Sequence, residues 1–408
     1  MATGEPLLDR LFVVAVRKRL INNTPFDVYK LASSYGEGTS AVVDLRREPE
    51  ALELPPCREA FVFLETAGTW MCFDWDVPRM AAVLGRLDRG RGRLTVVGPQ
   101  ARALREALGL DFRAVSSLAF EEAIRPGSGE SPAAIAPAFV ADGLDSLYNG
   151  ECRDGTRIAL GSTFSVYHSM NCPMECPFCF YSPRTRHKQV GFAELMGDLG
   201  RIIAAGRTHF YFMDPIFPLN DPRCRQLLDL REATGVPFTY SCQISPNLLE
   251  RPNLERLRAT GCRVVIVGIE NQELIASKGS IRRALDGVGR LRDLDMSPML
   301  FFLIDGRNEV ERLVDAFRDC PFRYGVLNHA FASDLSLPSI ERGFEEKRRL
   351  ADANRGLIER LQRSPDFLGR QGAAGDGSPP RQAPAPDHGR DPNPRPGRVA
   401  PGAGARAE

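Results

Sequence analysis

Short apolar runs recur along the first 125 residues, separated by stretches whose apolar positions fall three or four apart. The runs are residues 11–16 (LFVVAV), 41–45 (AVVDL), 60–65 (AFVFLE) and 93–98 (RLTVVG), which read as buried strands, with helices over 27–35, 77–87 and 101–108 between them. Strands alternating with helices predict a parallel sheet covered on both faces, and such a sheet binds ligands beyond the carboxyl ends of its strands. The loops at 17–23, 66–76 and 98–100 are therefore where ligand contacts are expected.

The alternation breaks and then returns. Residues 126–160 are rich in glycine, proline and other small residues, as suits a linker that wraps between domains. Apolar runs resume at 161–169, 208–214, 237–244, 262–270, 298–305 and 324–331, with helical spacing over 192–205, 253–259 and 280–294. This second parallel array is long enough for an open barrel. A short helix is expected over 341–361, followed by a Pro-, Gly- and Arg-rich tail that lacks the apolar surface to offset its conformational entropy and reads as disordered. The expected fold is α/β. A doubly wound, Rossmann-like sheet spans 1–125, a linker 126–160, a partial βα barrel 161–335, a C-terminal helix 336–362 and a tail 363–408.

Charge narrows the partners. The 408 residues include 53 lysines and arginines against 52 aspartates and glutamates, so no global field favours nucleic acid or an anionic membrane. A small-molecule partner is expected. The N-terminal stretch LLDRLFVVAVRKRL is not a signal peptide, because Asp9 and Arg10 interrupt its apolar run and the basic cluster Arg17, Lys18, Arg19 follows that run. With no run near the roughly 20 apolar residues that span a bilayer, the expected location is cytoplasmic. The 10 cysteines, mostly scattered, do not make a secreted disulfide framework, and a cytosolic cysteine cluster more often binds metal or does chemistry.

The stretch SMNCPMECPFCFYSP carries that cluster: Cys172, Cys176 and Cys179 stand with three and then two residues between them, C-x-x-x-C-x-x-C, in a loop just after the first strand of the second array. Thiolates are the preferred ligands of iron–sulfur clusters, and three of them leave one iron of a 4Fe-4S cluster open to a bound molecule. The alternatives are a zinc site completed by His168 or His187, although zinc sites usually show paired C-x-x-C units, or three unrelated core cysteines.

The motif resembles that of the radical S-adenosylmethionine superfamily, in which an aromatic residue precedes the third cysteine, the position of Phe178. The resemblance covers roughly 160–335. It implies a partial (βα)6 barrel whose open iron is chelated by the amino and carboxylate groups of S-adenosylmethionine, with reductive cleavage giving methionine and a 5′-deoxyadenosyl radical. The family's second strand usually ends in a Gly-Gly-Glu-like element that binds the methionine amino group. Here Met213, Asp214 and Pro215 stand there, so the glycines are missing and Asp214 is left as the acid. The stretch VVIVGIENQELIASKGS resembles the family's fifth-strand segment, which packs against adenine, and this carries Gly268 and Glu270 over as cofactor-binding residues. For Asp214 the alternative is a cap or turn, and for Glu270 an ordinary strand-end carboxylate.

A doubly wound domain ahead of such a barrel resembles the cobalamin-dependent branch. That branch's usual signature supplies a histidine below the cobalt, whereas no histidine precedes His168 in this chain, so any corrin here is held without one from the N-terminal domain. Both tryptophans, Trp70 and Trp75, flank Phe73 in one loop at the expected carboxyl edge of the first sheet, where they would pack on a corrin face or else staple the domains together. The resemblance thus implies three cofactors: a 4Fe-4S cluster, S-adenosylmethionine and cobalamin. It also implies an external electron donor such as flavodoxin or ferredoxin.

The expectation is a cobalamin-dependent methyltransferase acting on an unactivated carbon of a small metabolite or natural-product intermediate. The rivals are a radical enzyme that does not methylate, and a non-catalytic iron–sulfur partner. Cys224, Cys242, Cys262 and Cys320 are single and read as buried structural thiols; His209 and His329 read as polar partners, and Tyr167, Tyr181 and Tyr211 as packing residues.

Overall fold

The computed structural model describes residues 7–14, 26–35, 39–45, 54–64, 77–89, 92–98, 101–115, 135, 163–169, 172–174, 176, 190–271, 275, 279–304, 309–317, 322–328, 346, 349–350 and 352–363. Both sheets belong to one unit, Met1–Arg370, while the second unit, Gln371–Glu408, lies outside the described residues.

The first sheet contains β1 (Leu8–Val14), β2 (Ser40–Asp44), β3 (Cys57–Phe63), β4 (Arg93–Val97) and β5 (Arg113–Val115), all parallel, in the order β2-β1-β3-β4-β5. Helices α1 (Phe26–Ser33), α2 (Val77–Arg89) and α3 (Ala101–Leu108) connect them. Because a crossover between parallel strands is right-handed, reversing direction after β2 puts α1 on one face and α2 and α3 on the other. Strand alternation follows this division. Leu11, Val13, Ala60, Val62, Leu94 and Val96 pack with Met80, Leu84 and Leu104, while Phe12, Val14, Phe61, Phe63 and Val97 pack with Val28, Leu31 and Ala32. The short strand β5 was not anticipated from the pattern: three residues, one of them buried, leave no periodicity to read.

The second sheet has six strands: β6 (Thr163–Val166), β7 (His209–Phe212), β8 (Thr239–Ile244), β9 (Cys262–Glu270), β10 (Ser297–Ile304) and β11 (Arg323–Asn328). All are parallel and lie in chain order, so the right-handed crossovers place every helix on one face and the sheet curls around the other. The helices are α4 (Phe192–Ala204), α5 (Asp221–Thr234), α6 (Arg251–Thr260), α7 (Ile281–Asp293) and α8 (Val310–Ala316), with α9 (Arg355–Gln362) after the last strand. Among the described residues β6 and β11 are not paired with each other, so this is a partial barrel. Phe210, Phe212, Tyr240 and Cys242 belong to its large apolar core, and the Tyr240 hydroxyl is hydrogen-bonded to Thr260 at the end of α6. The opposite face carries Ser165, His209 and Ser241, all buried.

Helix α1 joins the two sheets. Phe26 to Ala32 are all buried: Val28, Leu31 and Ala32 against the first sheet, Phe26 and Tyr29 within the core of the second, with the Phe26 ring edge-on to Phe164 and Tyr167. On the same helix the buried Lys30 ammonium reaches two carboxylates of α4, Asp198 at 2.6 Å and Glu194. Asp198 also accepts a hydrogen bond from the Ile135 main-chain N–H at 3.1 Å and an ion pair from Arg201 at 3.3 Å, so this buried carboxylate is well satisfied.

Candidate functional site at the carboxyl ends of the second sheet

Strand β6 delivers the chain to its carboxyl end and into the cysteine loop. Cys172 and Cys176 are both buried there, 8% and 5% exposed. Phe178, Cys179 and His187 lie outside the described residues, as does the whole loop that holds Trp70 and Trp75. Among the described residues no three His, Cys, Asp or Glu side chains gather closely enough to hold a metal. The two described thiols are the soft donors an iron–sulfur cluster takes, and the third sits three residues beyond Cys176 in sequence.

The base of this loop is densely bonded. The His168 carbonyl accepts from the Val190 N–H at 2.7 Å, and the His168 ring Nδ1 lies 2.7 Å from the Val190 carbonyl, so residues 168 and 190 pair on either side of the cysteines. Since a carbonyl only accepts, Nδ1 carries the proton. Nε2 then accepts from the Arg223 guanidinium at 2.7 Å. Burial, and then the Arg223 charge, hold the His168 pKa below the ordinary histidine value. Both ring nitrogens are therefore engaged, and His168 is not available to complete a zinc site. Phe192 backs the arrangement, with the His168 ring edge-on at 5.3 Å and the guanidinium 5.6 Å from its centroid.

Asp214 stands just past β7, where the family resemblance would put the acid for a methionine amino group. Its two oxygens face the cysteine loop instead: one accepts from the His168 N–H at 3.1 Å and the other from the Ser169 N–H at 2.8 Å. The side chain is buried, and burial pushes its pKa up to about 7 despite these main-chain donors and the nearby Arg223 charge.

Glu270 closes β9 and is buried, with φ at +62°, a value rare for a residue with a side chain. The local cause is a slip in the ladder. Gly268 pairs with Phe301, but Glu270 pairs with Phe302, so Ile269 is an extra residue. Bulges of this kind re-aim side chains and are frequent beside functional sites. The strand itself is the fourth of its sheet in order, which corrects the reading of this segment as a fifth-strand element. The sequence match had been to residue types, whereas position in the sheet is decided by pairing.

At the end of β8 the structure adds residues that the sequence did not single out. The main chain stays extended through Ser245, which continues the alternation of Ser241 and Gln243 on the face away from the helices. The Ser245 Oγ and the Asn247 Oδ1 are buried and make no hydrogen bond. Nothing in SPNL distinguishes such a pair from an ordinary turn, so sequence alone offered no signal for them.

No family model matches the sequence, and no curated protein matches it. Solved structures do match. TsrM from Kitasatospora setae, a radical S-adenosylmethionine methyltransferase solved with cobalamin and a 4Fe-4S cluster bound, superposes with a TM-score of 0.54 at 18% identity, over 80% of this chain and 76% of that one. The chain shares its fold with that radical methyltransferase. A second TsrM structure, with tryptophan substrate and the analogue aza-SAM, gives 0.53 at 18% identity over 78% and 72% of the two chains. The α/β architecture expected from the sequence, a doubly wound parallel sheet followed by a partial barrel, is thus observed in both the strand order and the fold match.

Proposed function

We propose that the protein is a cobalamin-dependent radical S-adenosylmethionine methyltransferase acting on an unactivated carbon of a small metabolite or natural-product intermediate. The observation that carries this reading is the position of the cysteine loop. Cys172 and Cys176 leave the carboxyl end of β6, the first strand of a partial barrel, behind a doubly wound sheet of order β2-β1-β3-β4-β5. TsrM, which has this fold, binds cobalamin and a 4Fe-4S cluster, and that supports assigning both here.

Cys172, Cys176 and Cys179 would hold the cluster, and Phe178, Gly268 and Glu270 would line the S-adenosylmethionine beside it. In the first sheet the strand order reverses between β1 and β3, and open α/β sheets take ligands at such a switch point. The loop after β3 holds Trp70 and Trp75, which would cover a corrin there. When bound, the cluster and S-adenosylmethionine would supply the radical and the corrin would carry the methyl group. The chain's own part is to bind, orient and exclude water. Ser245 Oγ and Asn247 Oδ1 each have hydrogen-bonding capacity to spare for a polar group of the bound molecule. The electron would come from an external flavodoxin- or ferredoxin-type donor in the cytoplasm. No described helix is long and apolar enough to cross a membrane.

A radical enzyme without a corrin is the second reading, favoured by the absence of any histidine before His168. Anaerobic reconstitution with iron, sulfide and cobalamin, followed by an ultraviolet–visible spectrum and quantification, separates the two. The methyltransferase reading expects about four irons and one corrin per chain. Iron without corrin would remove the methyl-transfer step and leave the radical step standing.

A further inference from the structure

Ser169 and Val190 flank the cysteine segment, and the polar contacts described at these two points involve three side chains from three different elements. His168 follows β6, Asp214 follows β7, and Arg223 lies in the first turn of α5. We propose that these three form a clasp whose task is to fix the main chain at Ser169 and Val190, the two ends of the cysteine segment, before any iron binds. Asp214 is then a positioning residue for the loop and not the acid that binds a methionine amino group. This inference rests on the cluster reading given above.

The physical argument starts from chain entropy. A twenty-residue loop free at its base would have to be ordered when iron binds, and that cost would come out of the cluster's affinity. Here the ends are already joined. His168 meets Val190 twice, by main chain and by ring, each bond at 2.7 Å. Asp214 fixes the direction in which the chain leaves β6, because its carboxylate takes the N–H groups of two successive residues, His168 and Ser169. The Met213 N–H donates to the Val166 carbonyl at 2.8 Å, so Asp214 is itself held in line with the β6–β7 ladder. Arg223 completes the set: it fixes the His168 ring through Nε2 and stacks on Phe192, at the start of the helix that follows the loop. Pro222 and the Asn220 cap, whose side chain accepts the Arg223 N–H at 3.1 Å, set where that first turn begins. None of the three needs to touch iron; each acts through the main chain that carries the cysteines.

Three variants test this: Asp214→Ala, His168→Ala and Arg223→Met, with Arg223→Lys as the conservative partner. The reconstituted protein is challenged with an iron chelator under anaerobic conditions, and the release rate is read together with the electron paramagnetic resonance spectrum of the reduced cluster. Removal of residues that orient metal ligands typically weakens metal binding about 10- to 100-fold, and release should accelerate by about that factor in His168→Ala and Arg223→Met, measured below each variant's own melting transition so that global unfolding does not contribute. Arg223→Lys should recover part of the loss, since a lysine can still donate to Nε2. Wild-type release rates and spectra in both His168→Ala and Arg223→Met would overturn the clasp.

A second measurement needs no metal. In the iron-free chain the His168 and Ser169 amides should be protected from hydrogen exchange, and Asp214→Ala should open both. Rapid exchange of these amides in the wild-type chain would overturn the clasp. If the wild-type chain took up no iron yet kept these amides protected, the cluster reading would fail while the clasp geometry stood.

Discussion

The two sheets are built from the same strand–helix unit, yet they arrange it differently. In the first, the order β2-β1-β3-β4-β5 reverses once, so helices cover both faces and the connections that leave the paired strands β1 and β3 turn to opposite faces. In the second, strand order equals chain order, so the crossover helices among the described residues all lie on one face and six carboxyl ends line up around the other. The consequence is a difference in where function can reside. Beside the switch point of the first sheet, β1 and β3 end in the buried apolar residues Val14 and Phe63, and the residues proposed to cover a corrin, Trp70 and Trp75, come later in the chain. In the second, polar side chains stand at the strand ends themselves: His168, Asp214, Ser245 and Glu270 lie at or just beyond β6, β7, β8 and β9, all four buried.

If this division is right, the two cofactor sites should fail independently. Cys176→Ala removes one of three soft ligands and should cut iron content at least about tenfold, while corrin retained by the first sheet stays near wild type. Trp75→Ala should do the reverse. Loss of one aromatic surface should weaken corrin retention by about tenfold, or about 1.4 kcal/mol, with iron unchanged. Both are read in one experiment, iron and corrin per chain after gel filtration. Joint loss of both groups in either variant would mean that the sheets do not divide the labour.

The next largest effect should come from the joint between them. Lys30 is 6% exposed at its side chain and Asp198 1%, and Lys30 comes from α1 of the first region while Asp198 and Glu194 come from α4 of the second. Lys30→Met keeps the packing length but takes the cation from the buried Oδ2 of Asp198, leaving Ile135 and Arg201 on Oδ1 alone. Breaking such a pair from one side typically costs about 3–5 kcal/mol, which denaturant titration would show as a lower midpoint. A loss under about 1 kcal/mol would assign the joint to the apolar contacts of Phe26 and Tyr29 instead.

The sequence made the architecture legible because buried parallel strands announce themselves: β9 was bounded at residues 262–270 in advance, and α3 at 101–108, both as observed. Helix α5 shows what the apolar pattern misses. DPRCRQLLDLREAT buries only Cys224 and Leu227 and shows little amphipathic stripe, so its start and stop are set by the Asn220 cap, Pro222 and Gly235 in the left-handed region. The cysteines were legible from spacing. His168, Arg223 and Lys30 were not legible as a bonded set, because their partners lie 55 residues away for the His168–Arg223 bond and 168 for the Lys30–Asp198 bond, separations that no local pattern encodes. Asp214 was found as a residue but not for what it bonds, since only the fold brings it under the main chain of His168 and Ser169.

The last expected effect is a pH dependence in the acid range, carried by two buried groups of the second sheet. No histidine precedes His168, whereas His209 is buried at the start of β7 between Thr239 Oγ1 at 2.8 Å and Ser241 Oγ at 3.2 Å, and burial pushes its pKa down to about 3. In the unfolded chain that histidine takes up a proton near its ordinary value of about 6.5. Between those values the unfolded state binds the extra proton, so the stability that His209 contributes is present above about pH 6.5 and is lost as pH falls toward 3, by up to about 1.4 kcal/mol per pH unit. Asp214 has the opposite sign: its raised pKa of about 7 means that the folded chain binds the extra proton, so its contribution grows as pH falls below that value. The two partly cancel in the wild type, so the test is a difference. His209→Gln keeps Asp214 and loses the histidine, and the stability gap between variant and wild type should shrink steadily from pH 6.5 downward. A gap that stays constant would mean that His209 is as easily protonated folded as unfolded, and that the inner face of the second sheet is wet at its lower end.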